Sequence, residues 1–186
     1  MKLLRACLFA LLAFGIFVPP LAHAQTPRTG GFEFNVSVVP TVQNAAYAAG
    51  QSLGGLQTIN IASTPVIAGI LDQISIASSG GSTVAVVVYV WDKNPSNTTC
   101  TDKTNFAKSQ TDNQHLITGA PILLTPATVV SAQDTATYAT ASNLTDNFEN
   151  ASSNSYLYVC ILANGSVTPG TTTDYRLNLQ GVKDQP

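Results

Sequence analysis

Residues 83–91, TVAVVVYVW, and residues 156–162, YLYVCIL, decide the fold class of this chain. Nearly every position in both stretches is apolar, and β-branched or aromatic residues dominate them. Stretches of this length suit a strand better than a core helix, and a strand that is apolar on both faces is covered on both sides. Each stretch therefore predicts a central strand that is buried on both of its faces.

The segments around these stretches alternate apolar and polar residues, which is typical of half-buried strands. They are residues 32–39, 56–61, 69–77 and 174–180, with shorter candidates at 116–124 and 127–130 that proline restricts to edges or ends. Residues 106–110 predict a short helical turn, and the Thr-, Ala- and Asn-rich residues 132–153 predict a loop. No stretch keeps a helical period, so we predict an all-β fold, a single β-sandwich of which a jelly roll is one form.

The N-terminus has the pattern of a secretory signal peptide. Lys2 and Arg5 precede an apolar run at residues 8–18, and the small residues Ala22 and Ala24 follow two prolines, as a cleavage site requires. The apolar run is about eleven residues long, whereas a membrane-spanning helix needs roughly twenty. We expect cleavage after Ala24 and a protein that is secreted, periplasmic or held at the cell surface.

This cleavage site sets the predicted domain organisation. Residues 1–24 form the signal peptide, 25–31 a flexible leader, 32–182 the β-sandwich domain and 183–186 a tail. A mature chain of about 162 residues is long enough to bury a sizeable core.

The mature chain is poor in charge and mildly acidic. The full chain has eight basic and ten acidic residues, and loss of Lys2 and Arg5 changes its net charge from −2 to −4. Charged residues make up only 10% of the chain, and Ser, Thr, Asn and Gln supply the polarity instead. There is no basic stripe, which argues against binding nucleic acid or an anionic membrane, and no later segment predicts a membrane span.

Cys100 and Cys160 are the two cysteines that remain after cleavage. In an oxidising compartment an even pair predicts a disulfide, which here closes a loop of about sixty residues and adds roughly 4 kcal/mol of stability. The alternative, a metal site or reactive thiol, lacks a second C-x-x-C motif and a nearby histidine. The disulfide also predicts that the two central strands are neighbours in one sheet.

The mature chain offers little for catalysis. Its single histidine is His115, and Ser109 and Asp112 lie too close to it in sequence to converge as a catalytic triad does. We predict that His115 is a loop histidine that makes ordinary hydrogen bonds. A cleft that holds His115 against a perturbed carboxylate would favour an enzyme instead.

The acidic residues also fail to form a recognisable reactive set. Glu33, Asp72 and Glu149 are scattered and show no spacing that predicts the carboxylate pair of a glycosidase. Residues 92–98, DKNPSNT, place oxygen ligands at alternate positions, but a calcium loop needs glycine at the position of Asn97 and an acid at that of Lys103. We predict no catalytic residue, metal or cofactor.

Trp91 is the only tryptophan of the chain. Exposed and flanked by tyrosines, it would stack on a sugar ring and favour a carbohydrate-binding module. Because it ends a nine-residue apolar run, we predict that it belongs to the core.

Several short strings resemble those of a known protein group. They are AYAAG at residues 46–50, LGG at 53–55, GIL at 69–71 and WDKNPS at 91–96, followed by TT and TD pairs. Over residues 40–120 the chain is similar to small β-rich virion structural proteins of tailed bacteriophages. The resemblance implies a structural role and no catalytic residues, while the signal peptide departs from it and fits an exported protein on the same scaffold.

Together these observations predict an exported, non-enzymatic structural or protein-interaction protein. The strands at 32–39 and 174–180 carry few charges, so we expect them to be weakly guarded sheet edges at which the protein binds itself or a protein partner. A monomer whose edges are covered by residues 132–153 is the alternative at this point. The alternative function is a secreted carbohydrate-binding module whose partner is a polysaccharide.

Overall fold

A computed structural model describes residues 31–63, 66, 68–128, 136–149 and 155–184. The predicted signal peptide at 1–24 and most of the leader at 25–31 lie outside these residues. The described chain forms nine strands: β1 (Gly31–Val38), β2 (Gln57–Asn60), β3 (Ala68–Ser78), β4 (Val86–Trp91), β5 (Ile122–Leu124), β6 (Ala127–Thr128), β7 (Thr137–Glu149), β8 (Tyr156–Ala163) and β9 (Tyr175–Asp184). A three-residue 3-10 helix, Asn113–His115, lies between β4 and β5, and no described helix is long and apolar enough to cross a membrane.

The strands form two antiparallel sheets, and the predicted all-β sandwich is confirmed. The five-stranded sheet has the order β1-β9-β3-β7-β6, and the four-stranded sheet has the order β2-β8-β4-β5. When the two-residue β6 is set aside, four strands face four. The chain then changes sheet at every connection except the one from β4 to β5, which are neighbours in the same sheet. This is the strand arrangement of a jelly roll.

The two central strands pair with each other, as predicted from the cysteines. The register of β4 and β8 places Val88 opposite Ile161 and Val90 opposite Val159, and all four side chains lie in the main core. Cys160 points to the opposite face of the sheet, because alternate side chains of a strand face opposite sides.

The predicted disulfide is present, and it fastens a loop over the outer face of the four-stranded sheet. Cys100 and Cys160 are joined across a sequence separation of 60 residues. Residues 92–116, called the covering loop below, pack with Trp91 and Leu162 in a second, smaller core. The second buried face of β4 and β8 therefore rests on a loop rather than on another sheet.

Two local predictions are wrong. Residues 132–153 were expected to form a loop, but Thr137–Glu149 is the longest strand of the described chain. Its inward positions include Ala139 and Ala141, which pack against the core but give only a weak apolar signal. The helical turn expected at 106–110 is absent, and the described chain has its 3-10 helix at Asn113–His115 instead.

A β-bulge bends the five-stranded sheet. Leu71 pairs with Gly181 on β9 and Asp146 on β7, whereas Gln73 pairs with Gln180 on β9 and Ser142 on β7. Between these two rungs β9 has no additional residue, β3 has Asp72 alone, and β7 has residues 143–145. The number of extra residues therefore rises from none on β9 to one on β3 and three on β7. The sheet bends here, and its outer surface is concave at the bulge.

Candidate functional site

Strand β1 forms a regular, free edge of the five-stranded sheet. It pairs with β9 over all eight of its residues without a bulge, and in the described chain no strand pairs with its other side. Glu33 is its only charged residue. Natural proteins usually protect such an edge with charges, proline or a bulge, so β1 can accept a further strand.

The opposite side of the same sheet is not an equivalent edge. Strand β6 covers only the first two residues of β7. Beyond it, Asn143 and Thr145 adopt positive φ values of 57° and 51° and interrupt the regular ladder. Bulges of this kind protect an edge against pairing, so β1 is the better docking strand.

The sequence prediction of two weakly guarded edges is half confirmed. Residues 32–39 contain most of the edge strand β1. Residues 174–180 are wrong as an edge, because β9 lies between β1 and β3 and pairs with both. An alternating pattern reports that one face is buried, but it says nothing about whether both neighbouring positions in the sheet are filled.

Apolar side chains are exposed close to the sheet edges. Phe32 on β1 is 53% exposed, and Leu123 on the edge strand β5 is 58% exposed. An apolar group at a free edge adds side-chain contact to the backbone pairing that the edge offers.

Carboxylates inside the covering loop are occupied by protein donors. Asp112 accepts hydrogen bonds from the Thr98 hydroxyl at 2.6 Å and the Asn97 backbone N–H at 3.1 Å. Asp102 accepts hydrogen bonds from the Tyr47 hydroxyl and the Gly54 backbone N–H, each at 2.7 Å. These aspartates fasten the loop, and among the described residues no three His, Cys, Asp or Glu side chains form a metal-binding group.

His115 lies in a cleft of about 330 Å³ against Asp92. Its Nδ1 is 3.1 Å from Asp92 Oδ1, and the backbone N–H of Glu149 donates to Asp92 Oδ2 at 3.2 Å. Burial raises the pKa of Asp92 above its ordinary value. This is the arrangement named above as favouring an enzyme, and the sequence pattern had not paired these two residues.

The chemistry that this cleft can support is limited. Its described lining adds Gln114, Asn147 and apolar side chains but contains no hydroxyl or thiol that could act as a nucleophile. Ser109 hydrogen-bonds to Thr111, and Asp112 to the Thr98 side chain, so the three residues considered for a triad are not brought together. The cleft does hold a histidine oriented by Asp92, with the Glu149 carboxylate beside them, so it has a base and an orienting group but no described hydroxyl or thiol for them to activate.

Trp91 is fully buried, which confirms its place in a core and removes the exposed platform considered for sugar binding. Its ring stacks on Tyr89 with centroids 5.7 Å apart, and Phe106 of the covering loop lies 4.7 Å from the Tyr89 ring. Lys108 Nζ lies 5.6 Å from the centroid of the same tyrosine. The aromatic cluster thus serves to dock the covering loop.

The three scattered carboxylates fall into two places. Glu149 lines the His115 cleft, whereas Glu33 and Asp72 line one cavity on the outer face of the five-stranded sheet. Sequence reasoning missed this second pairing, because the two acids lie on β1 and β3 and only the sheet order, with β9 between them, brings them together.

Similarity to known proteins is confined to structure. No protein-family model matches the chain, and no curated protein sequence matches it. A chain from the X-ray structure of tomato aspermy virus is 10% identical, with 98% of this chain and 92% of that chain covered and a TM-score of 0.46. A chain of the native virion of Kashmir bee virus is 8% identical, with 83% and 71% covered and a TM-score of 0.29. At TM-scores below 0.5 neither likeness supports a conclusion about function, and the resemblance to tailed-phage proteins stays a prediction.

Proposed function

We propose that this chain is an exported, non-enzymatic structural protein that associates with a second copy of itself through strand β1. The observation that supports this function is the free β1 edge, eight residues long and regular, with one charge and an exposed Phe32. Backbone N–H and C=O groups on such an edge supply the affinity in strand addition.

A second copy of the chain can pair with the free backbone groups of β1 without placing like charges opposite each other. Around a two-fold axis that passes between Asn35 and its own counterpart, two β1 strands pair antiparallel and join two five-stranded sheets into one. Glu33 then faces Ser37 of the second copy rather than its own counterpart, which avoids the cost of like charges directly opposite. The contact is isologous and closed, as in most soluble dimers.

The competing functions have less support in the geometry. Jelly rolls include both capsid and lectin domains, so the fold does not choose between assembly and sugar binding. The carbohydrate module was argued from an exposed Trp91, and that side chain is buried. An enzyme that activates a hydroxyl or thiol through His115 would need that group in the cleft, and the described lining offers neither.

The test is a lysine placed at the β1 edge. We expect the mature protein to form dimers in light scattering as its concentration rises, and Phe32→Lys to weaken dimerisation at least about tenfold, because lysine is a natural edge guard. Leu123→Lys is the matched control, since it removes an equally exposed apolar side chain from the edge strand of the other sheet.

Three outcomes decide the matter. A dimer that is lost in the Phe32 variant and kept in the Leu123 variant supports the proposal. A wild-type protein that stays monomeric at high concentration refutes it, and so does a dimer that only the Leu123 variant disrupts.

A further inference from the structure

The bend in the five-stranded sheet creates a cavity of about 530 Å³ on its outer face. Six long polar side chains from four strands surround this bulge cavity: Glu33, Asn35, Asp72, Gln73, Asn143 and Gln180. Its volume lies in the range that small-molecule sites occupy, roughly 300–1,000 Å³. It shares no lining residue with the His115 cleft, whereas its Glu33 and Asn35 project from β1, the strand whose backbone edge is the proposed dimer contact.

The backbone at this place is built for a bend rather than for a flat sheet. Asp72 is the unpaired residue of the bulge, and Asn143 on the neighbouring strand has a φ of 57°. Gly181 sits on the β9 side, where an added Cβ would collide with the carbonyl oxygen of Ile70 and press on the Phe34 ring. The concavity is therefore set by strands, which hold side chains more precisely than loops do.

The polar side chains around the bulge cavity are not engaged by other described parts of the protein. Within the described residues, none of the six side chains hydrogen-bonds or ion-pairs with another protein group. The carboxylates elsewhere differ, since Asp102 accepts hydrogen bonds from two protein donors and Asp112 from three. Six unpaired polar side chains thus converge on one concave surface where they remain free to bind a ligand.

The chemistry of these groups defines the ligand class. Two carboxylates accept hydrogen bonds, and the four amides both donate and accept them, which matches the hydroxyl groups of a sugar ring. Among the described residues that line the cavity there is no lysine, arginine or histidine to pair with an anion. Val182 adds apolar lining, against which the C–H face of a sugar can lie.

We propose that the bulge cavity binds a neutral saccharide through Asp72 and Gln180, with Glu33, Asn35, Gln73 and Asn143 as further contacts. This site differs from the tryptophan platform that a carbohydrate-binding module would have used. It adds a ligand to the proposed self-associating protein and does not depend on its dimerisation.

The experiment is a titration of the mature protein, isotopically labelled for NMR, with glucose, mannose, galactose and their β-linked disaccharides. We expect amide shifts to cluster at residues 33–35, 72–73, 142–143 and 180–182 for at least one sugar. Asp72→Asn and Gln180→Ala should each weaken that binding about tenfold, which is the effect of losing one well-placed hydrogen bond.

A pair of serine variants controls for the fold. Ser142→Ala changes an exposed serine in the cavity lining and should weaken the shifts, whereas Ser37→Ala changes an exposed serine on the same sheet face outside it and should not. The proposal is overturned if no sugar in the set shifts these amides, if the shifts lie elsewhere, or if calcium chloride alone shifts them and the sugars do not.

Discussion

Tyr47 is a buried tyrosine whose hydroxyl connects two separate segments of the chain. It is 1% exposed, its hydroxyl donates to Asp102 at 2.7 Å, and its oxygen accepts the backbone N–H of Gln43 at 2.7 Å. Burial, followed by the hydrogen bond to Asp102, raises its pKa from 10.0 to about 12. The phenol therefore links the covering loop, through Asp102, to the segment before β2.

This linkage predicts a loss of stability in alkaline solution. Because the folded pKa of Tyr47 lies above its unfolded value, its contribution is complete below about pH 10 and disappears as the pH rises to about 12. Tyr47→Phe should lower the free energy of unfolding by about 1–3 kcal/mol at neutral pH, and the difference from wild type should shrink above pH 10. Urea unfolding across this range measures it.

Tyr138→Phe is the matched control for that measurement, because the Tyr138 side chain is exposed. It should leave the unfolding free energy unchanged at neutral pH. A gap between wild type and the Tyr47 variant that stays constant from neutral pH to pH 12 would contradict the linkage.

Thr145 is the clearest site of backbone strain. It is a β-branched residue with a φ of 51°, a conformation that glycine adopts freely and that costs other residues about 1–2 kcal/mol. Thr145→Gly should raise the free energy of unfolding by about 1 kcal/mol in denaturant titrations. Thr140→Gly, on the regular part of the same strand, should lower it by about 0.5–1 kcal/mol. Equal signs for the two variants would show that Thr145 is unstrained.

At the scale of elements, the disulfide and the covering loop act as one unit. The bond from Cys100 to Cys160 closes a long loop, and the loop carries Phe106 onto Tyr89 beside the buried Trp91. The bridge therefore stabilises the domain and also keeps water from the outer face of the central strands.

The double variant Cys100→Ser/Cys160→Ser should lose about 2–5 kcal/mol of stability, as small exported domains do without a native disulfide. Its single tryptophan should also show a fluorescence shift to longer wavelength as the covering loop loosens. Thiol titration of the native protein should find no free thiol after export. An unchanged unfolding midpoint, or two free thiols, would contradict this role.

At the scale of the whole molecule, the low charge and the N-terminal pattern belong together. A chain with 10% charged residues solvates itself with neutral polar groups, and the outer face of its five-stranded sheet is rich in Ser, Thr, Asn and Gln. The predicted export requires removal of residues 1–24. Mass spectrometry of the exported protein should find Gln25 as its first residue, and an intact N-terminus would refute the prediction.

The sequence by itself determined the fold class, the two central strands, their adjacency and the disulfide. The central strands follow from local composition, because a run that is apolar on both faces must be covered on both sides. The disulfide follows from the number of cysteines in the predicted mature chain, because two cysteines have only one pairing. Trp91 in the core followed from the same local composition as the central strands.

Only the tertiary structure decided the order of the strands in each sheet and which side chains that order brings together. An alternating strand reads the same at an edge or in the middle of a sheet, so β9 could not be distinguished from β1. Strand β7 was missed because Ala139 and Ala141 give little apolar signal and the bulge breaks the alternation before Leu144 and Phe148, which also pack in the core. Glu33 and Asp72 meet through pairings of long sequence separation and a bulge, and local side-chain patterns do not encode either.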